Sequence, residues 1–144
     1  IGTNGPGEIE RLARLAAPQI GVVTNVFETH LEGLGSLDGV ANEKANLIRL
    51  LPRDGLAILN HDCPRSAWLR GQTDARVVTV GLSEGADHRA EEVSFSALGT
   101  SFRHRGREIT IPLTGTHFVH NVLFAIAVAE QLGLPIEGTL ERLR

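Results

Sequence analysis

The chain has 144 residues, 42% of them apolar and 22% charged, with a formal net charge of −3, which is the length and make-up of one ordinary globular domain. Its slightly acidic balance gives no reason to expect nucleic acid or an anionic membrane surface as a partner, and no apolar run approaches the roughly 18 residues that a membrane-spanning helix requires. A single cysteine, Cys63, excludes an internal disulfide, and no second cysteine or spaced histidine pair completes a zinc set. These features read as a cytoplasmic protein that neither binds nucleic acid nor inserts in a membrane. The chain contains no methionine and opens Ile1-Gly2-Thr3 as though inside a strand already under way, so it reads as a piece whose site is completed elsewhere.

In chain order, a glycine-rich turn comes first. Ile9, Leu12, Ala13 and Ala16 then recur at helical spacing up to Pro18, with Pro6 in the first turn and Glu8 and Glu10 near the positive end of the helix dipole. Gly2-Thr3-Asn4-Gly5 has the glycine content of a phosphate loop. However, Pro6-Gly7-Glu8 stands where a Walker loop carries Gly-Lys-Ser/Thr, and a glutamate repels phosphate.

Residues 20–24 are apolar and β-branched and predict a buried strand, which places Asn25 to Glu32 at its carboxyl edge, where open α/β sheets bind their ligands. Ser36 is positioned to cap a helix running to Leu51, along which Leu37, Val40, Ala41, Leu47 and Ile48 share one side. Lys44 sits two turns into that helix and His30 lies on the preceding loop, 14 residues earlier, so the two can face one pocket. Taken singly they read as a loop histidine and a solvated lysine; only a larger pattern gives them a role.

Residues 56–59 form a short all-apolar run, the mark of a parallel strand covered on both faces, and Asn60-His61-Asp62 hangs from its end as Asn25 does from the strand before. A short helix over 64–69 leads to a third strand over 76–82. The alternation predicts an α/β fold with a mostly parallel, doubly wound sheet and right-handed crossovers. After Gly81 the period changes. Val93, Phe95 and Ala97, then Phe102 and His104, then Ile109 and Ile111 alternate with polar residues, with turns at Leu98-Gly99 and Arg105-Gly106, and predict a small antiparallel meander. Arg103, Arg105 and Arg107 read as its solvated face, since no aromatic platform is interleaved with them. From Phe118 the chain is apolar nearly all round and predicts a buried helix closed by Gly133 and Pro135, followed by a final amphipathic helix from Ile136.

Four stretches in this order, IGTNGPGEI, VTNVFETHLEGLGSLDGVANEKANLI, AILNHDCPRSAW and ITIPLTGTHFVHNVLFAIAVAEQLGL, resemble the central ATPase domain of the Mur ligases over essentially the whole chain. The most discriminating parts, GTNxxGEI and HLEGxGSLxGVAxxK, look most like the branch that adds D-alanyl-D-alanine to a UDP-MurNAc-tripeptide. The resemblance implies a P-loop-NTPase-like fold and an ATP-dependent ligase of peptidoglycan precursor synthesis. In such an enzyme a substrate carboxylate becomes an acyl phosphate and an amine attacks it. ATP and Mg2+ are the implied cofactors, and a UDP-MurNAc-peptide and D-Ala-D-Ala the implied small-molecule substrates.

His30 matches the histidine that ligates the family's second metal, and Lys44 matches the lysine carried as a carbamate. The modification makes physical sense, because an ammonium repels Mg2+ whereas a carbamate supplies anionic oxygens, and a desolvated lysine loses its proton readily enough to capture CO2. Asn121, in THFVHN, matches the second asparagine of an HNxxN pattern that contacts adenine, with Phe118 at the place of the first. Asn25 and Asn60, at the two strand ends, are the further candidates for the nucleotide site. By the same resemblance the phosphate loop and a magnesium-binding glutamate precede Ile1 and a C-terminal domain follows Arg144, so the piece by itself is expected not to turn over. Two other readings stand beside this one: a sibling ligase, cyanophycin-synthetase-like or folylpolyglutamate-type, that keeps His30 and Lys44, and a non-catalytic binding module that keeps only the fold.

Overall fold

A computed structural model describes residues 2–28 and 31–141; the expectations for His30 and for residues 142–144 fall outside them. In order the elements are α1 (Glu8–Ala16), β1 (Ile20–Val23), α2 (Leu31–Leu34), α3 (Leu37–Arg49), β2 (Leu56–Asn60), α4 (Ser66–Arg70) and β3 (Arg76–Gly81). They continue with β4 (His88–Arg89), β5 (Glu91–Ser96), β6 (Gly99–His104), β7 (Arg107–Ile111), α5 (Thr116–Gln131) and α6 (Ile136–Glu141). One sheet has the order β1-β2-β3-β4 and a separate one the order β5-β6-β7. β1 pairs with β2 in parallel from Ile20↔Leu56 to Val23↔Leu59, and β3 with β4 in parallel. The other sheet is antiparallel throughout. The chain is therefore α/β with a parallel sheet and an antiparallel meander, as the alternation of patterns predicts. It divides into two compact units, Ile1–Leu59 with Cys63–Val77 and Asn60–Asp62 with Val78–Arg144. Among the described residues no helix is long and apolar enough to cross a membrane.

In the first unit, Val23, Val40, Ala45, Ile48, Leu59 and Leu69 form the core together with the buried Cys63. Every residue of β2 is buried, which is why residues 56–59 are an unbroken apolar run. α3 starts as its sequence predicts, with Ser36 Oγ accepting from Gly39 N at 3.1 Å. α1 starts differently. Its cap is Gly7, in the left-handed region at φ 80° and without a side chain to offer, so Pro6 precedes the helix instead of opening it.

The missing cap comes from α3. Glu43, 4% exposed, accepts from Gly7 N at 2.8 Å through Oε2 and from Ile9 N at 2.7 Å through Oε1. A carboxylate at the positive end of a helix satisfies two of the N–H groups that every helix start leaves unpaired. α2, too short to have been read in the sequence, packs equally closely: a Cβ on Gly33 would lie 1.8 Å from Asn4 O.

In the second unit, β6 and β7 bury Phe102, His104, Ile109 and Ile111, the residues that alternation assigns to one face. β5 departs from it. Val93 is only half-buried and Phe95 is 50% exposed, because the register shifts between Glu91 and Ser94 and Glu92 takes φ 51°, a bulge that re-aims an edge strand. Arg103, Arg105 and Arg107 are exposed, opposite Glu92, Glu130 and Glu137 at 3.6, 2.8 and 2.7 Å, a solvated face as predicted. α5 begins at Thr116, ahead of the predicted start at Phe118, and buries Val119, Leu123 and Ile126. His88 and His104 are buried and stacked, with ring centroids 5.3 Å apart. His104 Nδ1 donates to Arg89 O at 2.9 Å, while His88 Nδ1 and His104 Nε2 have no hydrogen-bond partner among the described residues.

Candidate active site

β1 stops at Val23 and the chain turns outward through Asn25, while α3 runs back beside the strand and brings Lys44 to its end. Lys44 Nζ donates to the Asn25 main-chain carbonyl at 2.6 Å. The two residues line a small cavity of about 90 Å³ with Ile9, Val23 and Thr24. Ile9 reaches it from α1, the helix that Glu43 holds, so the residue before Lys44 also shapes the cavity wall. Burial pushes the Lys44 pKa below its ordinary value, and Cys63 works in the opposite direction. Lys44 is the only lysine in the chain, every other cation apart from the histidines being arginine. Arginine keeps its proton under all ordinary conditions, so Lys44 is the one basic side chain able to offer a neutral amine.

Asn25 meets Lys44 through its main chain; its side-chain Oδ1 folds back to accept from Val26 N at 2.9 Å. Among the described residues no group of three or more His, Cys, Asp or Glu is placed to hold a metal ion. His30, the other expected metal ligand, lies outside the described residues.

The second unit holds the other two candidates. Asn60, the last residue of β2, is 4% exposed, and its Oδ1 accepts from Asp62 N at 2.9 Å. It therefore forms a side-chain turn that aims Asp62, the job asparagine commonly does at a strand end. The Asp62 carboxylate accepts from Leu82 N at 2.7 Å, from Ser83 N at 3.0 Å and from His120 Nε2 at 2.6 Å. Burial works to raise its pKa, but these hydrogen bonds prevail and hold it at about 2. Asn121 follows His120 on α5 with its side chain exposed to solvent. One turn earlier, Phe118 packs on His117 with ring centroids 4.1 Å apart.

The fold thus brings Lys44 and Asn25 together directly. It links Asn60 and Asn121 only through Asp62, by way of the turn on one side and His120 on the other. Glu43, Asp62 and His120 were not singled out in the sequence, although Asp62 and His120 stand in the NHD and THFVHN stretches that were. A count of lysines would have marked Lys44 more sharply than its spacing from His30.

The chain belongs to the family of the Mur ligase middle domain, whose profile matches residues 1–129. Over 145 aligned residues it is 36% identical to the UDP-N-acetylmuramoyl-tripeptide–D-alanyl-D-alanine ligase of Bacillus subtilis, covering 99% of this chain and 31% of that protein. It is 39% identical over 127 residues to the UDP-N-acetylmuramoyl-L-alanyl-D-glutamate–2,6-diaminopimelate ligase of Chlamydia caviae, covering 85% of this chain and 26% of that one. In structure it matches MurF from Acinetobacter baumannii with a TM-score of 0.90 at 25% identity, over 99% of this chain and 32% of that one. The MurF ligase of Thermotoga maritima, solved in complex with ADP, shares the fold at a TM-score of 0.79 and 22% identity, over 95% and 33% of the two chains. The chain spans about a third or less of the length of these relatives.

Proposed function

We propose that the chain is the middle-domain part of an ATP-dependent ligase of peptidoglycan precursor synthesis. In this reading the enzyme joins D-alanyl-D-alanine to a UDP-MurNAc-tripeptide through an acyl phosphate, with the N-terminal substrate domain, P-loop and C-terminal domain in the rest of the protein. ATP and the UDP-linked peptide are its small-molecule substrates, and the cytoplasm is the location these substrates imply.

The observation that carries the reading is Lys44: a lone, desolvated lysine whose hydrogen bond goes to a neutral carbonyl at 2.6 Å. An ammonium does not fit a magnesium ion, but an amine that gives up its proton fits the carbamate. The neutral nitrogen attacks the carbon of CO2, an N–C bond forms, one C=O electron pair moves onto oxygen, and the nitrogen releases a proton. A positive side chain becomes a negative one with two oxygen donors. Lys44 in that form and His30 are the residues that would hold magnesium, which when bound supplies neutralisation of phosphate charge. Asn121 presents an exposed carboxamide, donor and acceptor together, of the kind that matches an adenine edge. Phe118 offers an apolar surface in place of a second amide, and the Asn60 turn carries Asp62, which meets His120 beside Asn121.

The test is phosphate release from ATP by the full-length protein. Release that requires both UDP-MurNAc-tripeptide and D-Ala-D-Ala is the expected result. The 39% identity to a diaminopimelate-adding relative favours a second reading, which release with UDP-MurNAc-dipeptide and diaminopimelate would select. No release with any such pair would leave the fold as a binding module and refute the ligase reading.

A further inference from the structure

His120 is held at both ring nitrogens, within the second unit. Nδ1 lies 2.9 Å from the Thr116 carbonyl oxygen and Nε2 lies 2.6 Å from Asp62 Oδ2. A carbonyl oxygen can only accept. So can an ionised carboxylate, and Asp62 is one, since two main-chain N–H groups already point at its oxygens. We propose that His120 clips the start of α5 to Asp62, and that it is thereby the positioning residue for Asn121, the next residue on the helix. The second half rests on the reading of Asn121 as an adenine contact.

Three further observations support the clip. Both side chains are mostly buried, 16% and 21% exposed, so solvent screens the pair little. The cap of α5 is Gly115, with no side-chain hydrogen bond among the described residues, so His120 supplies a side-chain tie that the cap lacks. On the Asp62 side there is no slack: a Cβ on Gly81 would meet both carboxylate oxygens at 3.0 Å. Among the described residues, His61, whose ring lies 3.5 Å from the Cβ position of Gly85, Arg89, whose Nε donates to Leu82 O at 3.2 Å, and His117, three residues before His120, are titratable or charged groups in the segments that carry the pair. No second carboxylate is bonded to the His120 ring among the described residues.

The experiment has two arms on the full-length protein. In nitrogen-15-edited spectra without nucleotide, the Nε2 proton of His120 should lie far downfield and exchange slowly, as its hydrogen bond to Asp62 requires; a fast-exchanging Nε2 proton overturns the inference outright. ADP is then titrated into wild type, His120→Gln and Asn121→Ala. His120→Gln should bind ADP about tenfold more weakly than wild type, the size of one lost charge-assisted hydrogen bond. If Asn121→Ala weakens ADP binding while His120→Gln matches wild type, the inference fails and the functional reading stands. If Asn121→Ala leaves ADP binding unchanged, the reading of Asn121 fails and the positioning role falls with it.

Discussion

Glu43→Ala removes the cap that α3 gives to α1, and its cost follows from what is left behind. Two main-chain N–H groups lose a charged acceptor, Gly7 N at 2.8 Å and Ile9 N at 2.7 Å, and Asn46 Nδ2 loses a weaker contact at 3.2 Å. Gly7 is half-exposed, so water can replace the carboxylate there; Ile9 is 4% exposed, so its N–H is stranded. A stranded buried donor costs about 1–3 kcal/mol and a rehydrated one about 1 kcal/mol, giving roughly 2–4 kcal/mol in all. Glu43→Gln keeps the shape and one acceptor oxygen but turns an NH2 toward one of the two donors, and should cost about half as much. Trp68, the only tryptophan, lies in the same unit as α1 and α3, so a urea titration followed by its fluorescence reads the relevant unfolding. The order wild type, Glu43→Gln, Glu43→Ala in falling midpoint is expected. An alanine variant within about 0.5 kcal/mol of wild type, the range of an ordinary surface substitution, would refute the cap.

Gly33→Ala should destabilise the first unit by at least roughly 2 kcal/mol, the scale of an overpacked site, because its methyl would sit 1.8 Å from Asn4 O. Gly2→Ala, whose Cβ meets nothing within 4 Å, is the control, and equal urea midpoints for the two variants would contradict the packing. His88 gives a pH prediction. Burial first, and then Arg105, lower its pKa from an ordinary value near 6.5, against an opposing pull from Glu130. Below that value the unfolded chain binds a proton the folded chain resists, so stability falls as pH drops through this range. His88→Phe should flatten that slope between pH 7 and pH 5 in urea titrations followed by circular dichroism, and an unchanged slope would place its origin elsewhere.

Much of the fold was legible because it is written in period. β1 and β2 are apolar runs of strand length, α3 has a capping serine and a one-sided apolar face, and the two meander turns carry glycine. Asn25 and Lys44 were each legible, one at a strand end and the other two turns into a following helix, but the pair offered by the sequence was Lys44 with His30, and the contact of Lys44 with the Asn25 carbonyl was not foreseen. What escaped is what position along the chain does not encode. Glu43 sits where a helix normally shows solvated charge, and its partners are backbone groups more than 30 residues away. Asp62 and His120 are 58 residues apart and meet only when β2 and α5 are in place. Asn60 stands at a strand end, and its amide oxygen accepts from Asp62 N, a turn that the sequence reading did not foresee. β5 has the right alternation, and a bulge, which leaves no periodic trace, turns it from the core.

The central claim is that Lys44 serves as an oxygen ligand made from an amine, and replacing it in the full-length protein tests this most directly. Ligation by Lys44→Ala should be abolished at low bicarbonate and partly restored by acetate or formate, small carboxylates that can occupy the place of the missing carbamate. Ligation near the wild-type rate in Lys44→Ala, or rescue by a small amine instead of a carboxylate, would contradict the account and return Lys44 to the role of a charge on a helix.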